Sequence, residues 1–174
     1  MKTSVLATLC AGTLAGLLAP TGKLAAQDDA SRAVEETLDA FHRAASEADG
    51  ATYFDLFDVD GVFLGTDATE RWTVEEFRAY AEPFFSQGRG WTYTPLERHV
   101  SVAPGGDVAW FDERLTNASL GETRGSGVLL REGDRWKVAQ YNLTIPIPNE
   151  MAGDVARRIR EMTADEPEAD GADE

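Results

Sequence analysis

Cysteine is almost missing from this chain. Of 174 residues only Cys10 carries a thiol, so neither an intramolecular disulfide nor a multi-cysteine metal site can form. Basic side chains are scarce as well: 16 Lys and Arg stand against 31 Asp and Glu, a formal charge of −15. They do not cluster, which argues against nucleic acid as a partner, because phosphate neutralisation needs a basic patch. Histidine occurs only at His42 and His99, without metal-ligand spacing, so no zinc site is expected. No other cofactor is called for. An apolar fraction of 43% is enough for a core, and the length suits one domain.

The N-terminus reads as an address. Lys2 is followed by an uncharged, Leu- and Ala-rich stretch from Val5 to Ala19, then Pro20 and Leu24-Ala25-Ala26. This is the pattern of a secretory signal, with cleavage expected near Ala26. The apolar stretch is shorter than the ~20 residues of a spanning helix, so no membrane association is expected after cleavage. Leu9 precedes Cys10, where a lipobox prefers a small residue, so the lipoprotein reading is set aside. Residues 1–26 are therefore read as signal, 27–150 as a domain and 151–174 as a helix with an acidic tail. Periplasmic or secreted residence follows.

Beyond the signal, helices come first. Gln27–Ala30 reads as loose. Val34, Leu38, Phe41 and Ala45 recur at helical spacing within Ser31–Ala48. A short helix is expected over Ala51–Phe57, a turn at Asp60-Gly61 and a strand over Val62–Leu64. Thr73-Val74-Glu75-Glu76 has the form of a capping box, with Trp72 and Phe77 placed as a hydrophobic staple. Phe77, Tyr80, Ala81, Phe84 and Phe85 form one apolar helical stripe. Four long strands follow: Trp91–Ala103, in which Pro95 marks an edge or a bulge, then Val108–Ala118, Glu122–Arg131 and Arg135–Thr144. A helix over Met151–Met162 ends the pattern, and Thr163–Glu174 holds six acids and no base, the composition of a solvated tail.

Helices followed by a run of antiparallel strands is the α+β order. The chain resembles the SnoaL-like branch of the cone-shaped nuclear-transport-factor-2-like superfamily. The residues that carry the likeness are Phe63-Leu64-Gly65-Thr66-Asp67, Glu70-Arg71-Trp72, Glu82-Pro83-Phe84-Phe85, Val108–Glu113, Arg124–Leu129 and Trp136–Leu143 running into Ile145–Asn149. The resemblance covers roughly residues 33–150. It implies a curved antiparallel sheet wrapped around the N-terminal helices, a hollow at the open end, and a homodimer through the open sheet face. Activity is not implied, because the superfamily hosts isomerases, cyclases, hydrolases, dehydratases and inert members.

Strand alternation then divides the candidate residues by face. Trp110, Asp112, Arg124, Gln140 and Asn142 are expected to face the hollow. Trp72, Tyr80, Phe84, Trp110, Arg124, Gln140 and Asn142 are the expected ligand contacts. Asp67 and Asp112 are the candidate general bases, with a plain turn role as the alternative for Asp67. His42, one residue past core Phe41, and His99, on a half-exposed strand, are read as boundary histidines. No nucleophile or metal cluster stands out. The leading expectation is an exported domain that holds a small apolar or amphipathic ligand. Its alternatives are an isomerase, hydrolase or dehydratase with an Asp base, and a dimeric interaction module; the sequence leaves catalysis open.

Overall fold

The computed structural model describes residues 21–164. Most of the expected signal, with Cys10, and the acidic tail from residue 165 onward lie outside them. Among the described residues the elements are α1 (Thr21–Ser46), α2 (Gly50–Asp55), β1 (Phe57–Leu64), β2 (Arg71–Thr73), α3 (Val74–Phe85), β3 (Thr94–Val102), β4 (Val108–Asn117), β5 (Gly121–Glu132), β6 (Arg135–Thr144) and α4 (Asn149–Ala164).

Helix α1 starts earlier than its apolar spacing suggests, and residues 27–30 are helical rather than loose. Its stripe of Val34, Leu38, Phe41 and Ala45 is buried against the sheet. Side chains four residues apart stack on one helix face, so His42, four beyond Leu38, is carried into the same buried stripe. Helix α3 is capped as its sequence requires. Thr73 Oγ1 accepts from the Glu76 N–H at 3.3 Å, and Glu76 Oε2 accepts from the Thr73 N–H at 2.8 Å. Trp72 and Phe77 complete the staple, with ring centroids 5.4 Å apart.

The sheet order is β2-β1-β6-β5-β4-β3. The meander from β3 to β6 is antiparallel, and β1 lies parallel to β6, against the all-antiparallel expectation. The reason is the crossing after α3. It carries the chain to the far edge of the sheet, and the meander returns from there to finish beside β1. Asp60-Gly61, read as a turn, is instead an irregularity within β1, where Asp58 Oδ1 accepts from the Asp60 N–H at 3.0 Å. Pro95 lies on edge strand β3 next to a register shift, as its missing N–H demands. Such bulges bend strands and increase twist, and here they curve the sheet around the helices.

The core is aromatic. Phe63 stacks on Phe77 with centroids 4.0 Å apart, and Phe41 lies 4.5 Å from Tyr53 and 4.9 Å from Tyr141. Each such side chain contributes about 1.5–3 kcal/mol on burial. In β4 the buried set is Ala109, Phe111, Glu113 and Leu115. Trp110 and Asp112 therefore point to the outer face, and Trp110 is 50% exposed. Arg124 is exposed on the same outer face of β5.

In β6 a register shift leaves Ala139 unpaired between Val138 and Gln140. The shift reverses the parity beyond it. Val138 and Tyr141 both face inward, while Gln140 is exposed and Asn142 only partly buried on the outer side. The five residues expected in the hollow thus line the convex face. Helix α4 is amphipathic, and none of its residues is buried.

Candidate functional site

A cavity of about 200 Å³ opens between the C-terminal part of α1, with α2 and α3, and the inner sheet surface. Phe41 from α1, Tyr53 from α2, Phe63 from β1, Trp72 from β2 and Phe77 from α3 wall it with aromatic rings. His42 and Tyr141 also line it, as do Thr66, Glu70 and Tyr80. Of the residues expected to contact a ligand, Trp72 and Tyr80 line this cavity. Phe84 is not part of the lining; its ring packs beside Tyr80 and under the Arg89 guanidinium.

Under the lining lies a charged cluster that the sequence reading missed. Glu113 is fully buried, at 0% exposure, between α1 and the sheet. Its Oε1 is 2.7 Å from His42 Nε2 and accepts from the Tyr141 hydroxyl at 3.0 Å. Its Oε2 accepts from Arg98 Nε at 2.8 Å, and Arg98 Nη1 reaches Asp39 Oδ1 at 2.7 Å. A buried carboxylate must be paired and hydrogen-bonded to persist, and this one has three donors. Burial pushes its pKa up. The hydrogen bond and charge of His42, together with Arg98, more than reverse that and hold Glu113 below the ordinary carboxylate range. Burial, followed by the nearby Glu113 charge, pushes the Tyr141 phenol well above its ordinary value, so it stays a neutral donor.

Glycine makes this arrangement sterically open. A Cβ on Gly125 would fall onto the Tyr141 hydroxyl and within 2.9 Å of Glu113 Oε1. A Cβ on Gly127 would lie 2.9 Å from the Phe111 ring. Gly125 is small because the cluster occupies its space, and Gly127 because the Gln140 carbonyl and the Phe111 ring do.

The ionised Glu113 carboxylate can only accept, so His42 Nε2 must carry a hydrogen in either charge state. Nδ1 is then the nitrogen that gains or loses the exchangeable proton. It has no hydrogen-bond partner among the described residues. Nor is it one of the sealed, unpartnered polar atoms there, which are Arg98 Nη2 and Thr123 Oγ1. A carboxylate that fixes one ring nitrogen while the other stays free is the orienting half of acid–base catalysis.

The two candidate aspartates lie elsewhere. Asp67 is exposed in the β1–β2 loop, where its Oδ1 accepts from the Thr69 N–H at 2.8 Å and from the Thr69 hydroxyl at 2.6 Å. Those bonds hold its carboxyl below the usual range, opposite to what a base poised near neutrality requires. This is the turn role. Asp112 is exposed on the outer face opposite Ser126, and no ion pair joins it to Arg124 among the described residues. His99 is exposed and 3.3 Å from Glu97.

Residues 34–148 match the family model of the SnoaL-like domain. The chain belongs to the SnoaL-like domain family. No curated protein matches this SnoaL-like chain. Solved structures share its fold. An NTF2-like protein of unknown function from Pseudomonas putida is 15% identical, with a TM-score of 0.59 over 71% of this chain and 92% of that one. A candidate dehydratase of the NTF2-like family from Streptomyces avermitilis is 17% identical, with a TM-score of 0.60 over 70% and 99%. A candidate scytalone dehydratase from Novosphingobium aromaticivorans is 12% identical, with a TM-score of 0.56 over 67% and 83%.

Proposed function

We propose that this SnoaL-like domain binds a compact, largely apolar molecule in its aromatic cavity and moves a proton on it through His42. The observation that carries the reading is the 2.7 Å contact between His42 Nε2 and the buried Glu113 carboxylate. In the neutral ring Nδ1 removes a proton from the ligand, and the Glu113 carboxylate stabilises the imidazolium that forms. Returning the proton to a different carbon completes an isomerisation. Delivering it to a leaving hydroxyl completes a dehydration. The candidate dehydratases with this fold support the second route by analogy alone. The general base is thereby a histidine on α1 rather than either aspartate.

The test is a panel of soluble β-hydroxyketones small enough for the cavity, followed by the ultraviolet absorbance of the enone formed. Wild-type protein is expected to turn over members of the panel. His42→Gln is expected to lower kcat by about 10²–10⁴-fold, the usual contribution of a general acid–base group, while retaining the ligand. Equal turnover by wild type and His42→Gln would remove the catalytic role. Binding without turnover across the panel would favour a pure binding domain.

A second reading concerns the outer sheet face, where Trp110 and Leu130 are exposed. An apolar face of this kind suits a homodimer contact. Export with signal cleavage near Ala26 is retained as a proposal, supported by the sequence pattern of the first 26 residues.

A further inference from the structure

We infer that the cavity prefers a compact organic cation, such as a quaternary or alkyl ammonium group, over a neutral molecule of the same shape. The inference rests on the cavity being the ligand site and adds the charge of what enters it. Among the described residues no Lys or Arg lines the cavity, its one basic side chain, His42, is paired with Glu113, and aromatic rings make up most of the lining. Ring faces carry the negative part of the aromatic quadrupole, so a cation seated against an uncovered face is attracted there. The mouth adds a full charge. Glu70 contributes to the lining and is only partly exposed. Its Oε2 accepts from the Asp67 N–H at 3.2 Å, while Oε1 makes no hydrogen bond among the described residues.

Gly65 is what lets Glu70 sit there. A Cβ on Gly65 would lie 2.8 Å from Glu70 Cδ, so only glycine leaves room for the carboxylate to lie across the strand end. Beside it Trp72 and Tyr80 lie with centroids 4.6 Å apart, two electron-rich rings at the same opening. The deep carboxylate, Glu113, is already compensated by Arg98 and His42, so Glu70 is the anion left to face a ligand. The whole chain, at a formal −15, adds a field that concentrates cations and repels anions. A cavity of about 200 Å³ is small beside the ~300–1,000 Å³ of drug-sized ligand pockets, which suits a compact head group.

The test compares choline with 3,3-dimethyl-1-butanol, its uncharged carbon isostere, titrated into the intact protein and read by calorimetry and tryptophan fluorescence. Choline is expected to bind about tenfold tighter or better. Glu70→Gln is expected to weaken choline about tenfold and leave the alcohol unchanged. Equal affinities for the two probes would overturn the charge preference while leaving the cavity as a ligand site. An equal loss of both probes in Glu70→Gln would overturn the role given to Glu70. Binding of neither probe would remove this inference, and an enone assay that still shows turnover would then leave the acid–base reading standing.

Discussion

His42 and Glu113 meet across 71 residues of chain, one from the buried stripe of a helix and one from the inner face of a strand, at 2.7 Å. His42 finds its buried acceptor in Glu113, and Glu113 adds Arg98 and Tyr141 as further donors. The pair sits between an aromatic cavity and an arginine, and it converts what would be two costly burials into one hydrogen-bonded group.

Removing one member of the cluster should be expensive. Glu113→Ala leaves His42 and Arg98 buried without their acceptor, and the expected loss is about 3–5 kcal/mol. Glu113→Gln keeps the shape and removes the charge, so it should cost less. Urea unfolding of the two variants with circular dichroism checks the order.

Stability should also depend on pH at both ends. The folded Glu113 carboxyl is depressed from its ordinary 4.5, so its contribution is present above that value and is lost as pH falls through the lower folded value. The folded Tyr141 phenol is raised above its ordinary 10.0, so its contribution is present below that value and is lost as pH rises through the higher one. Denaturation midpoints measured across pH should fall below about pH 4 and above about pH 10. Glu113→Gln should flatten the acid limb, and Tyr141→Phe the alkaline limb.

Gly125→Ala should destabilise by about 1–3 kcal/mol, because its methyl group would collide with the Tyr141 hydroxyl. Tyr141→Phe removes that oxygen, so the double variant should recover part of the loss. A double-mutant cycle by urea unfolding measures the coupling.

Asp67→Asn and Asp112→Asn should leave turnover of the β-hydroxyketone panel within a factor of about two, since neither carboxylate lines the cavity. Asp112→Asn should also shift stability by no more than about 0.5 kcal/mol, as an exposed position without an ion partner. Steady-state kinetics and thermal melting check both.

Ending the chain after Pro148 removes α4, none of whose residues is buried. The domain should keep its stability to within about 1 kcal/mol in dilute solution. A stability difference between the full and the shortened chain that grows with protein concentration would locate α4 in a contact between copies, checked by light scattering.

Local signals were legible in the sequence, and so was the architecture they build. Thr73 and Glu76 bond as their spacing requires, Trp72 packs on Phe77, and Pro95 marks an irregular edge strand. The faces of the sheet were harder. Trp110 looks like an inward residue because it is large and apolar, yet the register that buries Ala109, Phe111 and Leu115 turns it outward. The same register takes Glu113 in, and an acid on the apolar side of a strand was the available signal. In β6 the extra residue at Ala139 reverses the parity, and no residue type announces it. His42 was legible from its four-residue offset to Leu38, but only once it is asked what a buried histidine would bond to.

The parallel seam between β1 and β6 makes assembly a matter of timing. Val62 pairs with Gln140 and Phe63 with Tyr141, so nearly eighty residues must be made before β1 acquires its second neighbour. Contacts of such long range form slowly, because a large loop must close before any of them repays the ordering. Tyr141 arrives in that same seam, bonded to Glu113. The cluster of His42, Glu113 and Tyr141 is therefore completed by the final strand of the sheet, and a nascent or truncated chain lacking that strand carries its histidine without the finished chamber around it.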